Sequence, residues 1–172
     1  NNENLLTDVI DYNGTKTSRT YNSINKLDKF IDQAGNETLL KYDFMWNISE
    51  MILPDGAVTK CLFDKNNQLT EIIDELGNST VMEYNANGEC ISEAIGDSKI
   101  EFSYDEVGRL IKVKNADGGI SEYVYDLKDN ITHITDALGN EVQLEYDDAG
   151  RLVLEESSFG EIRRYTYNVL DK

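Results

Sequence analysis

Apolar and polar residues alternate in short segments that recur at a fixed interval along the whole chain. An aromatic residue followed at once by Asp or Asn stands at Tyr21, Tyr42, Phe63, Tyr84, Tyr104, Tyr125, Tyr146 and Tyr167, and successive anchors are 21 residues apart except for one gap of 20. Two positions before the anchors stand Arg19, Leu40, Cys61, Met82, Phe102, Tyr123, Leu144 and Tyr165, so seven of eight are apolar or aromatic. Residues two apart in an extended chain share a face. Each anchor and its neighbour therefore form an apolar face, while Glu101 and Ser103, or Gln143 and Glu145, turn the other way. A second segment begins at Leu27, Ile48, Leu69, Cys90, Leu110, Ile131 or Leu152. Three positions on, Phe30, Met51, Ile72, Val113 and Ile134 are apolar, while Glu93 and Glu155 are not. A spacing of three breaks strict alternation, so the register of this segment stays open.

Two turns punctuate each repeat. The first starts right after the anchor, at Asn22, Asp43, Asp64, Asn85, Asp105, Asp126, Asp147 and Asn168, and three residues on come Asn25, Trp46, Asn67, Gly88, Gly108, Asp129, Gly150 and Asp171. Asp and Asn start turns by accepting hydrogen bonds from the backbone just ahead, and Gly, Asn and Asp tolerate the left-handed region. The pattern predicts a type I turn followed by a left-handed residue, the three-residue hairpin loop. The second turn repeats this chemistry at Asp11–Gly14, Asp32–Gly35, Asp74–Gly77 and Asp136–Gly139. Variants stand at Asn115–Gly118, Ser157–Gly160 and Leu53–Gly56, where Pro54, the only proline, presets the turn. The turn glycines are thus Gly14, Gly35, Gly56, Gly77, Gly118, Gly139 and Gly160. The unit around Ile95, Gly96 and Asp97 is the irregular, short one.

The expected fold is all-β: repeated antiparallel hairpins of about 21 residues, two strands per repeat, in a long curved or spiralling meander sheet of about fifteen or sixteen strands. Residues 1–172 form one array of about eight units. Such a ribbon would be ~20 Å wide and ~75 Å long. With no helix predicted to cover its apolar face, that face needs burial by coiling, by neighbouring turns of a spiral or by another copy. Bare sheet edges also invite pairing between copies. The chain opens part-way through a repeat, at Asn1-Asn2-Glu3-Asn4, and stops just after an anchor, so it is expected to be a piece of a longer protein whose targeting signal is not in view.

Composition narrows the partners. A formal charge of −17 and a pI near 4.3 repel phosphate backbones and anionic lipid, which argues against nucleic acid and membrane surfaces. No apolar run approaches the ~20 residues that span a bilayer, so no membrane insertion is expected. Two cysteines, Cys61 and Cys90, make no disulfide framework and occupy positions held elsewhere by apolar residues.

The units resemble the YD repeats of the Rhs family. The resemblance is carried by Tyr104-Asp105-Glu106-Val107-Gly108-Arg109-Leu110, Tyr146-Asp147-Asp148-Ala149-Gly150-Arg151-Leu152 and Tyr125-Asp126-Leu127-Lys128-Asp129-Asn130-Ile131, together with the turn Asp136-Ala137-Leu138-Gly139-Asn140. It implies a spiralling β-sheet shell like those of Rhs polymorphic toxins, Tc toxin C components and teneurins. In the bacterial toxins this shell encloses a C-terminal effector within a secreted or surface protein. The self-cleaving segment that ends an Rhs core has no counterpart here.

Candidate chemistry is weighed against the repeat. The carboxylate pairs Asp105-Glu106, Asp147-Asp148 and Glu155-Glu156 mostly fall at turn positions common to every unit, which a single active site would not require. Neither an EF-hand loop nor a Gly-Asp calcium repeat is present, leaving only weak sites from stacked turns as an idea. His133 is the only histidine and lies in a strand segment near the surface. Trp46 stands where other units use Gly, Asn or Asp. Either the turn shifts onto Asn47, or Trp46 projects from a hairpin end to meet a sugar or a protein, or it folds back over a neighbouring turn. Sequons begin at Asn13, Asn36, Asn47, Asn78 and Asn130, as turn Asn followed by strand Thr or Ser produces by chance. The sequence therefore predicts a non-enzymatic shell segment without metal or cofactor, partnered by other repeats and the parent's C-terminal domain. The alternative is an adhesion module that binds cell-surface glycan or protein.

Overall fold

The computed structural model describes residues 5–168, so Asp171, expected as the left-handed residue of the last first turn, lies outside the described residues. Sixteen antiparallel strands take their places in chain order, and no helix occurs among the described residues. The chain divides into two compact units between Met82 and Glu83. The first contains β1 (Asp8–Ile10), β2 (Lys16–Tyr21), β3 (Leu27–Ile31), β4 (Glu37–Tyr42), β5 (Ile48–Ile52), β6 (Val58–Phe63), β7 (Leu69–Ile73) and the start of β8 (Ser79–Tyr84). The second contains the end of β8 and then β9 (Cys90–Ile95), β10 (Ser98–Tyr104), β11 (Leu110–Lys114), β12 (Ile120–Tyr125), β13 (Ile131–Thr135), β14 (Glu141–Tyr146), β15 (Leu152–Ser157) and β16 (Ile162–Arg164).

The turns form as their residue types dictate. In the loop after Tyr104, the Gly108 N–H donates to the Asp105 carbonyl at 3.1 Å, and the Asp105 N–H donates to the Arg109 carbonyl at 2.9 Å. Oδ1 of Asp105 then accepts the N–H groups of Val107 and Arg109 at 3.0 and 2.9 Å. The leading side chain thus closes its own loop. The third residue on is left-handed in every described first turn, including the non-glycine positions Asn25, Trp46, Asn67 and Asp129. Trp46 has φ 67°, so the turn does not shift onto Asn47. Where the leading residue is Leu53 or Asn115, Oδ1 of Asp55 or Asp117, two positions later, accepts a backbone N–H instead.

The short unit has a simple cause. Ile95 pairs directly with Ser98, leaving only Gly96 and Asp97 in the loop, and Gly96 has φ 57°. A two-residue loop with Gly first replaces the three-residue one, and the repeat loses one residue.

The uneven second segment also has a cause. At every anchor whose pairing is described the register shifts by one: Ser103 faces Lys112 while Tyr104 faces Leu110, leaving Ile111 unopposed. The same bulge recurs at Tyr21, Tyr42, Phe63, Tyr125 and Tyr146. One extra residue turns a spacing of three into same-face neighbours. Leu27 therefore opposes Tyr21, and Phe30 opposes Arg19, on a single face.

Neither unit has an interior in the usual sense. Among the described residues no hydrophobic side chain is fully buried, and Ser92, 3% exposed, is the sole buried polar one. Strand ladders and loop closures must therefore carry most of the stability. Gly139 tests this, since it has φ 82° and an added Cβ would meet nothing within 4 Å. Gly139→Ala should cost about 1–2 kcal/mol of purely backbone origin, seen as a lower urea midpoint with unchanged slope.

Candidate functional site

Three kinds of contact recur between neighbouring repeats. The first uses the anchor hydroxyls. Tyr42 donates to the Leu27 carbonyl at 2.6 Å, Tyr104 to Cys90 at 2.8 Å, Tyr125 to Leu110 at 2.8 Å and Tyr167 to Leu152 at 2.7 Å. Tyr21 reaches the Leu6 carbonyl in the same way. In each later case the acceptor is the residue that follows the preceding repeat's first turn. Burial pushes the Tyr42 and Tyr104 hydroxyls above their ordinary range, with Asp28 adding to the effect at Tyr42.

The second contact is the arginine of the Tyr-Asp-x-x-Gly-Arg motif. Arg109 Nε donates to Asp105 Oδ2 at 2.7 Å, tying the loop it follows. Its other end donates to the Asp126 carbonyl at 3.0 Å and to Asp129 Oδ1 at 2.7 Å, in the next repeat. The guanidinium lies 4.8 Å from the Tyr125 ring centroid, and Arg151 lies 4.6 Å from that of Tyr167. Such stacking suits Arg, whose planar fork can bond in its plane and stack on its face. In other loops Asn takes this place: Asn36, Asn78, Asn130 and Asn140 donate Nδ2 to Oδ2 of Asp32, Asp74, Asp126 and Asp136. Asn47 does the same for Asp43 and also bonds Asn67 one repeat on. Four of the five sequon asparagines are therefore loop clamps. The sign was present in the sequence, as Asn or Arg recurring four residues after Asp.

The third contact is a set of ion pairs across the polar face, such as Lys114 with Glu101 and Lys112 with Glu122. Glu83 Oε2 accepts both the Ser92 hydroxyl at 2.6 Å and the Lys99 ammonium at 2.9 Å, which accounts for the buried serine.

The residues weighed for chemistry do not converge. Glu155 and Glu156 are consecutive in β15 and so face opposite ways. Asp147 holds Arg151, and Asp148 is fully exposed. His133 Nε2 lies 3.8 Å from Glu141 Oε2. Cys61 is half-buried, and burial pushes its thiol up, toward the unreactive form. The Cys90 thiol donates to the Ser92 carbonyl. No group of three or more metal-ligating side chains occurs among the described residues. Trp46 is 48% exposed at its hairpin tip. Tyr12, Phe44, Leu76, Val107, Leu127, Leu138 and Phe159 also sit on loop tips, each at least 74% exposed.

Two expectations follow from these contacts. Tyr125→Phe removes one bond between repeats and should cost about 1 kcal/mol in urea unfolding. Side-chain and backbone bonds from Asn140 hold the Asp136 carboxyl below its ordinary range, and Asn130 does the same for Asp126. Carboxylates lowered in the fold add stability above their unfolded value of ~3.9, and that stability is lost as pH falls through the folded value. Acid unfolding should therefore begin below about pH 4. Asp136→Asn keeps the Oδ1 acceptor, as Asn22 does, and should make the loss shallower in a pH series followed by circular dichroism.

Comparison with known proteins agrees with this architecture. The teneurin YD-shell family model matches residues 60–154. No curated protein matches the chain closely enough to count as a relative. Among solved structures, the Tc holotoxin pore of Photorhabdus luminescens superposes with a TM-score of 0.73 at 14% identity, over 87% of this chain and 9% of that one. The TcdB2–TccC3–Cdc42 structure gives 0.71 at 16% identity, over 83% and 9%. TcdB2–TccC3 without its hypervariable C-terminal region gives 0.62 at 13% identity, over 88% and 11%. At such identities these likenesses speak for the fold, and the chain spans only about a tenth of those proteins. The family match covers more than half of the chain and falls on the repeats whose clamps are described above, so the protein belongs to the teneurin YD-shell family.

Proposed function

We propose that this chain is a non-enzymatic wall segment of a β-sheet shell in a large secreted or surface-displayed bacterial protein, where the shell encloses a C-terminal effector. The observation that carries the reading is the clamping of repeat to repeat by anchor hydroxyls and motif arginines, in units where no apolar side chain among the described residues is fully buried. Such units gain stability from their neighbours and not from an interior. Their apolar anchor face is suited to lining an enclosure or packing on what lies within it. The fold shared with Tc toxin structures supports the same reading.

Adhesion to cell-surface glycan has less support. A sugar-binding site pairs a stacking aromatic with free hydrogen-bonding groups. At the Trp46 tip, Oδ1 of Asp43 is engaged by the N–H groups of Met45 and Asn47, and Oδ2 by the Asn47 amide. The test is limited proteolysis of the parent protein. Its C-terminal part should survive far longer when the repeats are intact than when clamp arginines and anchor tyrosines are replaced together. Equal digestion in both proteins would refute enclosure, and glycan binding abolished by Trp46→Ala would favour adhesion instead.

A further inference from the structure

Two departures from the repeat pattern lie in the first unit, on opposite long edges of its ribbon. On the first-turn edge, the loop after Tyr42 carries Phe44, Met45 and Trp46 in succession, and Phe44 is 87% exposed. Ile24 extends this apolar surface from the neighbouring tip, at 42% exposure. Trp46 adopts a left-handed backbone that disfavours an aromatic residue and that other repeats give to Gly, Asn or Asp. A strained conformation kept at an exposed position points to use. Exposed Lys26 and Lys65 flank the loop on the adjacent tips. The result is a convex apolar knob with cationic shoulders on an acidic protein.

On the second-turn edge of the same unit lies a shallow groove of about 420 Å³, between the loops at 32–36 and 53–57. Leu39, Ile52, Leu53 and Pro54 line it together with Asn36 and Glu37, and Gly35 and Gly56 add no side chains. Leu53 stands where five of the other second turns begin with Asp or Asn, and this exchange adds an apolar side chain to the groove wall. Exposed Glu37 and Asp55 form its rim. Glu37 also holds Lys29, and Asp55 Oδ1 accepts the Ala57 N–H.

We propose that the groove is the receptor for the knob of a second copy of this chain. Phe44 of one copy seats on Leu39, Ile52, Leu53 and Pro54 of the next, while Lys26 and Lys65 approach the acidic rim. Shape and charge select this occupant: the knob projects with cationic shoulders, and the groove is concave, with apolar side chains on one part of its wall and an acidic rim. The interface is heterologous, since knob and groove are different surfaces, so every added copy presents a fresh knob or groove. This contact uses the loop tips and is separate from strand pairing at the sheet's lateral edges. It does not depend on whether the shell encloses an effector.

The test uses substitutions that other repeats already tolerate. Phe44→Glu installs the residue found at Glu106 in the matching loop position, and Leu53→Asp installs the usual turn starter. Neither should impair folding, which circular dichroism and thermal unfolding verify. In sedimentation velocity the unmodified chain should form a concentration-dependent, open-ended series of species. Each variant alone should associate at least about tenfold more weakly, as expected for loss of a central anchor. A mixture of the two variants should form a closed dimer and nothing larger, because one retains only the groove and the other only the knob. A chain that stays monomeric at high concentration overturns the proposal. So does self-association that both substitutions leave unchanged, or a mixture that fails to pair. If the monomeric chain instead binds vesicles of phosphatidylcholine and phosphatidylserine, and Phe44→Glu abolishes this, the knob belongs to lipid and the proposal falls.

Discussion

A single side-chain oxygen accepting two backbone N–H groups is the interaction on which this protein rests. It recurs at most hairpin loops, where Asp or Asn Oδ1 takes the N–H groups two and four residues ahead. In a protein with a large core, burial would correct a poorly specified loop. Here no hydrophobic side chain is fully buried among the described residues, so loop geometry must set strand register by itself. The fixed loop then places the bulge, and the bulge aligns the anchor face. The anchor tyrosine, positioned by that alignment, finds the carbonyl of the preceding repeat.

This chain of dependence explains what the sequence revealed. Period, strand count and turn chemistry were legible because each is local: an Asp at one position and a Gly three later act within five residues. The left-handed state of Trp46 was within reach for the same reason, since the position is defined by counting from Tyr42 and not by side-chain preference. The short unit was visible as a missing residue, but only the pairing of Ile95 with Ser98 shows that the loop, and not a strand, was trimmed.

What stayed hidden depends on partners distant in sequence. The spacing of three between Leu27 and Phe30 looked like weak alternation, because a bulge is defined by the strand opposite. The anchor tyrosines read as a packing column, whereas their hydroxyls add a bond to a carbonyl about fifteen residues back. Arg109 belonged to a recognised motif, but its reach to Asp126, Asp129 and the Tyr125 ring emerges only when adjacent repeats are side by side. Tip residues such as Leu127 and Leu138 fell in predicted turns, but how far their apolar side chains stand exposed depends on what the neighbouring tips cover.

The tyrosine-to-carbonyl bond has a consequence for how such a protein can change in length. Each bond begins in one unit and ends in the unit before it, with the same donor and acceptor positions each time. Copying or deleting one whole unit would leave every surviving junction with its full set of partners. Loss of residues from a strand would misalign the hydroxyl and its acceptor, whereas the residue trimmed from the loop at Gly96 leaves the Tyr104–Cys90 bond intact. A gene encoding such repeats can therefore grow or shrink readily in steps of one unit, and in smaller steps only where a loop absorbs the change, as at Gly96. The extent of the sheet becomes a quantity that recombination can adjust without redesigning any contact.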